Sequence, residues 1–215
     1  LLAKNLQSGE PAPVPLVQPD QLALIQFSSG TTVRPKPVGL THRQILANIQ
    51  ALTEFIPNAD GERAVGVCWL PLYHDMGLIG GLLTAALRPG TLVLIPPEVF
   101  LIQPAIWLRA ISKYGGTISP APNFAYALCP ERVQATDLEG CDLSSWRLAL
   151  NGAEPISAAC LRAFQDKFGD WGLSDTALTP VYGLAESALA VTFSRPDVPF
   201  VTQTFSPDAL CQQRA

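Results

Sequence analysis

Charge is scarce in this sequence, and what there is forms no pattern. Asp, Glu, Lys and Arg make up 15% of the 215 residues, with 14 basic against 18 acidic side chains and a net charge of −4. No run of Lys or Arg occurs, so the electrostatic footprint of a nucleic-acid binder is missing. Histidine is limited to His42 and His74. The five cysteines, Cys68, Cys129, Cys141, Cys160 and Cys211, are odd in number and include no CxxC pair. That argues against a structural zinc site and leaves buried, reduced thiols as the reading. Long apolar runs are also lacking. Met76 to Leu87 is the longest, and it is interrupted by three glycines and too short to cross a bilayer. With no signal-peptide pattern at the start, a soluble, cytoplasmic protein without a membrane span is expected. The chain starts at Leu1 without methionine and ends on Gln212-Gln213-Arg214-Ala215, so both ends read as cut.

What is present is a hydrophobic fraction of 48%, enough for one globular domain with a sizeable core or for two small lobes. Residues 1–20 hold Pro11, Pro13, Pro15 and Pro19 and read as a linker or truncated end. A unit over 21–60 follows: a strand at Leu22–Phe27, a turn-rich loop, and a helix capped by Thr41 with Ile45, Ile49, Leu52 and Ile56 on one face. Over 61–193, β-rich runs at Ala64–Leu70, Thr91–Ile95, Thr117–Ser119, Arg147–Leu150 and Ala177–Val181 alternate with helical segments. Those segments are Gly77–Leu87, Pro104–Lys113, Asn123–Leu128 and Ser157–Phe168, the last with Ser157 as N-cap. Continuous apolar strands alternating with helices imply an α/β fold, a largely parallel sheet with helices on both faces. Ligands gather at the carboxyl ends of the strands in such sheets.

Four motifs follow strands. Ser28-Ser29-Gly30-Thr31-Thr32-Val33-Arg34-Pro35-Lys36-Pro37 offers backbone N–H groups and a cation to an anion. It is not a Walker A loop, because Pro35 stands where glycine precedes the lysine and Pro37 where Ser or Thr would hold magnesium. A ligand-free Ser/Thr turn fits it equally. Tyr73-His74-Asp75-Met76-Gly77 carries a His-Asp pair whose neighbours would point to opposite faces of an extended segment. An ordinary loop histidine is the alternative. Asn151-Gly152-Ala153-Glu154-Pro155 could admit a flat ring against its backbone, or be a plain strand-to-helix turn. Tyr182-Gly183-Leu184-Ala185-Glu186 offers a stacking ring and an oxygen ligand for Mg²⁺, or a surface Glu on a first helical turn.

Taken in order, these motifs resemble the acyl-activating, adenylate-forming superfamily from about Leu22 onward. Leu78–Leu83, Pro122–Cys129, Asp142–Arg147 and the tail over 194–215 look closest to its fatty-acyl-AMP ligases. The resemblance implies the superfamily's large N-terminal domain. It also implies a reaction in which a fatty acid attacks ATP, releases pyrophosphate and becomes an acyl-adenylate for an acyl carrier protein. Ser28, Ser29, Gly30, Thr31, Thr32 and Lys36 would hold phosphates. Tyr182 would stack on adenine, with Asn151, Gly152, Ala153, Glu154 and Pro155 on its other side and Gly183, Leu184 and Ala185 beside it. Glu186 would bind Mg²⁺, and His74 would be catalytic, near the carboxylate and α-phosphate. Pro122, Asn123, Phe124 and Ala125 would border the acyl pocket. An acyl-CoA ligase, or a degenerate domain that binds without turnover, remains the alternative.

Two departures bear on the last reading. The family loop has glycine where this chain has Val33 and Pro37; a β-branched residue resists positive φ and proline lacks a donor. The family's ribose-binding aspartate, hinge and C-terminal domain with its catalytic lysine would lie downstream. The 215-residue chain by itself is therefore expected to show no carboxylate-dependent ATP–pyrophosphate exchange above background.

Overall fold

The computed structural model describes residues 15–28, 36–56 and 64–206. β1 (Leu22–Ser28) and β2 (Lys36–Thr41) pair antiparallel in a two-stranded sheet of their own. The sequence reading finds the first strand and misses the second, because Pro37 and Gly39 disguise it. Pro37 sits opposite Phe27, where both strands are edges and a missing N–H is tolerated. Thr41 caps α1 (His42–Phe55) with a full capping box: its Oγ1 accepts from Gln44 N at 3.3 Å, and Gln44 Oε1 accepts from Thr41 N at 2.8 Å. Ile45, Ile49 and Leu52 are buried as their spacing requires, while Ile56 falls just beyond the helix as its C-cap.

β3 (Ala64–Cys68) leads through a turn into a π-helical segment, Met76–Leu83, continued by α2 (Thr84–Leu87). The single helix expected over Gly77–Leu87 is thus two helical forms. Thr84 Oγ1 donates to Ile79 O, five residues back, at 2.7 Å, which supports the wider coil. Then come β4 (Gly90–Leu94), α3 (Pro97–Ile102), α4 (Ala105–Tyr114), β5 (Ile118–Pro122), α5 (Asn123–Arg132), β6 (Leu148–Gly152), α6 (Ala158–Phe168), β7 (Leu178–Gly183) and β8 (Ala190–Phe193). Ser157 caps α6 as expected. The main sheet has the order β4-β3-β5-β6-β7-β8, parallel throughout except for β8, which runs antiparallel to β7. At β6 only Leu150 is not fully buried, so both faces of the sheet are covered there.

β5 extends past the expected Ser119 through Pro120 and Pro122, residues that normally argue against a central strand. The sheet accommodates them because β5 and β3 share one register pair, Gly66 with Ile118. Side-chain hydroxyls add to the backbone bond from Thr117 N to Val65 O: Thr117 Oγ1 accepts from Val65 N at 3.0 Å, and Ser119 Oγ donates to Val67 O at 2.5 Å. Ser119 Oγ also accepts from Trp107 Nε1 at 2.7 Å. Trp107 is fully buried and packs edge-on against Phe100, Tyr126 and Trp146 with ring centroids 5.0–5.8 Å apart. Of the thiols, Cys68 and Cys129 are buried, and burial pushes Cys68 up to about 11; Cys141 and Cys160 are only half-buried, and Cys211 lies outside the described residues. Among the described residues no helix is long and apolar enough to cross a membrane.

Ser119→Ala strands the buried Trp107 N–H without a partner and is expected to cost about 2 kcal/mol, read as a lower urea midpoint at unchanged slope.

Candidate functional site

A cavity of ≈ 530 Å³ opens where the hairpin, α1 and the carboxyl ends of the parallel strands meet. Gln26 and Phe27 of β1 form one side, and Leu52, Phe55 and Ile56 of α1 another. The turn Tyr73–Met76 after β3, Ala153 after β6, and Val181–Glu186 at the end of β7 complete the opposite wall. Residues of three motifs line the cavity at or after the ends of β3, β6 and β7. β1 belongs instead to the separate antiparallel hairpin.

His74 and Asp75 both line this cavity, and they do not point apart as an extended segment would make them. The chain is already coiling into the π-helical segment there, with Leu78 N donating to His74 O at 2.8 Å. Asp75 Oδ1 lies 2.8 Å from His74 Nδ1 and 2.7 Å from Met76 N. Met76 N is farther from His74 Nδ1, at 3.2 Å, so the Asp75 carboxylate is the nearer partner of both N–H groups. The hydrogen bond to Asp75 raises the His74 pKa; partial burial opposes it and the carboxylate's charge adds to it. Gly77 makes this turn possible. A Cβ there would run into the Pro71 carbonyl, so the turn folds back over the coil only with glycine.

The second motif glycine has the same reason. At Gly183 a Cβ would collide with the Leu189 carbonyl, which accepts from Leu184 N at 2.8 Å. Between them a tight turn holds Ala185–Ser187 as one 3₁₀ unit, and Ala188 closes it at φ 68. Glu186 rides on this turn, exposed at the cavity wall. Tyr182, 60% exposed, presents its ring one strand position earlier.

The third motif divides. Ala153, at φ 70, reaches the cavity. Asn151 is buried and its Nδ2 donates to Asn123 Oδ1 at 3.3 Å; the same oxygen accepts from Ser157 N at 3.0 Å. Glu154 Oε1 accepts from Phe124 N at 2.5 Å, so its carboxylate caps the start of α5. Asn151, Gly152, Glu154 and Pro155 are therefore outside the cavity lining. So are Pro122, Asn123, Phe124 and Ala125: Ala125 is fully buried, and Asn123 is engaged by the neighbouring turn. Lys36 stands opposite Ser28 at the mouth of the hairpin and is not in the lining. Ser29, Gly30, Thr31, Thr32 and Val33 lie outside the described residues, as does the side chain of Ser28.

Sequence reasoning passed over Tyr73, 89% exposed on the cavity wall, and Gln26, whose buried Nε2 has no hydrogen-bond partner among the described residues. The signal was available for Tyr73, which adjoins His74. It also passed over Phe55, which carried no signal beyond the apolar face of α1.

The chain matches the family described as AMP-binding enzyme over residues 2–208. It is 38% identical over 175 residues to the 4-hydroxyphenylalkanoate adenylyltransferase of Mycobacterium tuberculosis, covering 81% of this chain and 28% of that protein. Against a medium-chain-fatty-acid–acyl-carrier-protein ligase of Teredinibacter turnerae it is 38% identical over 178 residues, 83% of this chain and 27% of the relative. A crystal structure of a fatty acyl-adenylate ligase from Legionella pneumophila, in complex with acyl adenylate and pyrophosphate, matches with a TM-score of 0.81 at 39% identity. That match covers 86% of this chain and 32% of the other. The chain spans well under half the length of these curated relatives, 28% and 27%.

Because the folded pKa of His74 is raised, the stabilisation from its pair with Asp75 is complete below the ordinary value of 6.5 and is lost as pH climbs through the raised value. An NMR titration of the His74 imidazole is expected to give a midpoint above 6.5, returning toward it in Asp75→Asn.

Proposed function

The chain belongs to the AMP-binding enzyme family, and from that premise we propose that it forms part of a ligase that activates a fatty acid with ATP as an acyl-adenylate. One observation carries the reading: His74, Ala153 and Tyr182 to Glu186 come from three separate strand ends and share one cavity wall. In the proposed reaction a carboxylate oxygen attacks the α-phosphorus of ATP, a P–O bond forms, and pyrophosphate leaves. Two anions must approach each other, so the site must align them and offset charge.

Tyr182 offers its exposed ring to adenine, with the backbone of Ala153 across from it. His74, fixed through Nδ1 by Asp75, presents Nε2 toward the carboxylate and α-phosphate; as an imidazolium it offsets their charge. Mg²⁺ commonly binds through one or two carboxylates plus substrate phosphates, and a lone exposed Glu186 on the wall suits that donor set. Such an ion, when bound with ATP, would screen the phosphates. The hairpin segment from Ser28 through Thr32 to Lys36 is the proposed phosphate holder. The apolar wall of Leu52, Phe55, Ile56, Gly80 and Ile118 suits an alkyl chain better than the Pro122–Ala125 segment, which serves to brace the Ala153 turn. The acceptor is proposed to be an acyl carrier protein, in keeping with the carrier-protein ligase among the relatives, and the compartment to be the cytoplasm.

In the full-length protein carrying this chain, Tyr182→Ala is expected to weaken binding of an acyl-adenylate analogue about tenfold, measured by calorimetry, with carboxylate-dependent ATP–pyrophosphate exchange falling alongside. Unchanged binding in that variant removes the adenine-stacking assignment.

A further inference from the structure

The turn that carries Glu186 is held from outside the site. Asn48, in the middle of α1, reaches it with its whole amide: Nδ2 donates to Ser187 O at 3.1 Å and to Ala190 O at 2.9 Å, and Oδ1 accepts from Ala190 N at 3.2 Å. Both donors and the acceptor are thus spent on the backbone of two residues, Ser187 and Ala190, just after Glu186. The segment they bracket needs fastening. Ala188 is held at φ 68, a region alanine resists, and the register of β7 against β8 shifts between Tyr182 and Gly183. The turn also makes short-range hydrogen bonds of its own, such as Ser187 N to Leu184 O at 3.0 Å, and its Ala188 and Leu189 side chains are buried in the core.

One helical face of α1 makes a polar and an aromatic contact with this segment. Asn48 and Phe55 are seven residues apart, two turns of α1, and Phe55 stacks on Phe193 of β8 with centroids 4.2 Å apart. Asn48 itself does not line the cavity. Its effect on a ligand must therefore pass through the turn.

We propose that Asn48 is a positioning residue that sets where the Glu186 carboxylate stands on the cavity wall, and with it the affinity for the Mg²⁺·ATP complex. The proposal rests on the ligase reading of the same site. No shorter or differently shaped side chain reproduces this pattern. Aspartate has the size but no donor for the two carbonyls, and alanine has neither donor nor acceptor.

The test uses the full-length protein carrying this chain, with Asn48→Asp and Asn48→Ala. Carboxylate-dependent ATP–pyrophosphate exchange is followed against free Mg²⁺, ATP and acid, alongside thermal melting and amide hydrogen exchange. In N48D the half-saturating Mg²⁺ concentration is expected to rise about tenfold, the loss of two good hydrogen bonds, while KM for the acid changes less than twofold. The added carboxylate would by itself attract a cation, so a higher half-saturating Mg²⁺ concentration reports the lost donors. An unchanged Mg²⁺ dependence with a lower melting temperature overturns the proposal, since Asn48 would then be a structural fastener only. Equal losses in every kinetic parameter overturn it as well. If the wild-type parent shows no carboxylate-dependent exchange, the ligase reading itself fails. The clamp is then judged on the Ala190 amide: protection in wild type that disappears in N48A upholds it, and equal protection in both overturns it.

Discussion

The seam between α1 and β8 is the contact on which the site depends. α1 follows directly from β2, so whatever fixes α1 also fixes the hairpin, and the hairpin shares no strand pairing with the main sheet. Asn48 and the Phe55–Phe193 stack tie this helix to the antiparallel end of the sheet, with Leu52 on the same face reaching the cavity between them. Polar and apolar contacts play different parts there. The stacked rings supply non-directional adhesion, whereas the amide sets register, because its three hydrogen bonds are satisfied in one arrangement only. That seam helps set Gln26 and Phe27 in one cavity with Tyr182 to Glu186, beside the buried Val38 and Leu40 of β2.

A second constraint is close backbone approach. Gly77 and Gly183 each lie against a carbonyl that any Cβ would strike, and each sits one or two residues from a cavity-lining side chain. Both glycines read from sequence as parts of ligand motifs. In the folded chain their role is to let the chain reverse tightly enough to present His74 on one side and Glu186 on the other. The motif is thus partly a record of folding geometry, not of ligand contact alone.

The third motif shows the same division of labour among side chains. Asn151 and Glu154 have the polarity of binding groups, yet Asn151 Nδ2 is engaged by Asn123 and the Glu154 carboxylate by the start of α5. Their hydrogen bonds hold the turn in which Ala153 adopts its positive φ and reaches the cavity. A carboxylate at a helix N-terminus is an ordinary stabilising arrangement, and here it joins two loops that sequence alone assigns to different ligands.

Much of the architecture was legible in the residues. Thr41 and Ser157 marked helix starts, Ile45, Ile49 and Leu52 marked a buried face, and the alternation of β-rich runs with helices gave a mainly parallel sheet. These features follow from local chemistry, capping and periodicity, which a linear chain carries in full. The misses share a different origin. β2 and the end of β5 hid behind prolines that a thinly paired neighbour tolerates, and Gly77–Leu87 split because the π coil is fixed by a hydroxyl five residues on. Whether His74 and Asp75 meet, whether Glu154 faces a ligand or a helix end, and what holds Glu186 were decided by groups up to 142 residues apart. The sequence by itself determined which residues could do the chemistry. Only the tertiary structure decided which of them are free to, because a hydrogen bond spent inside the fold is no longer available to a substrate.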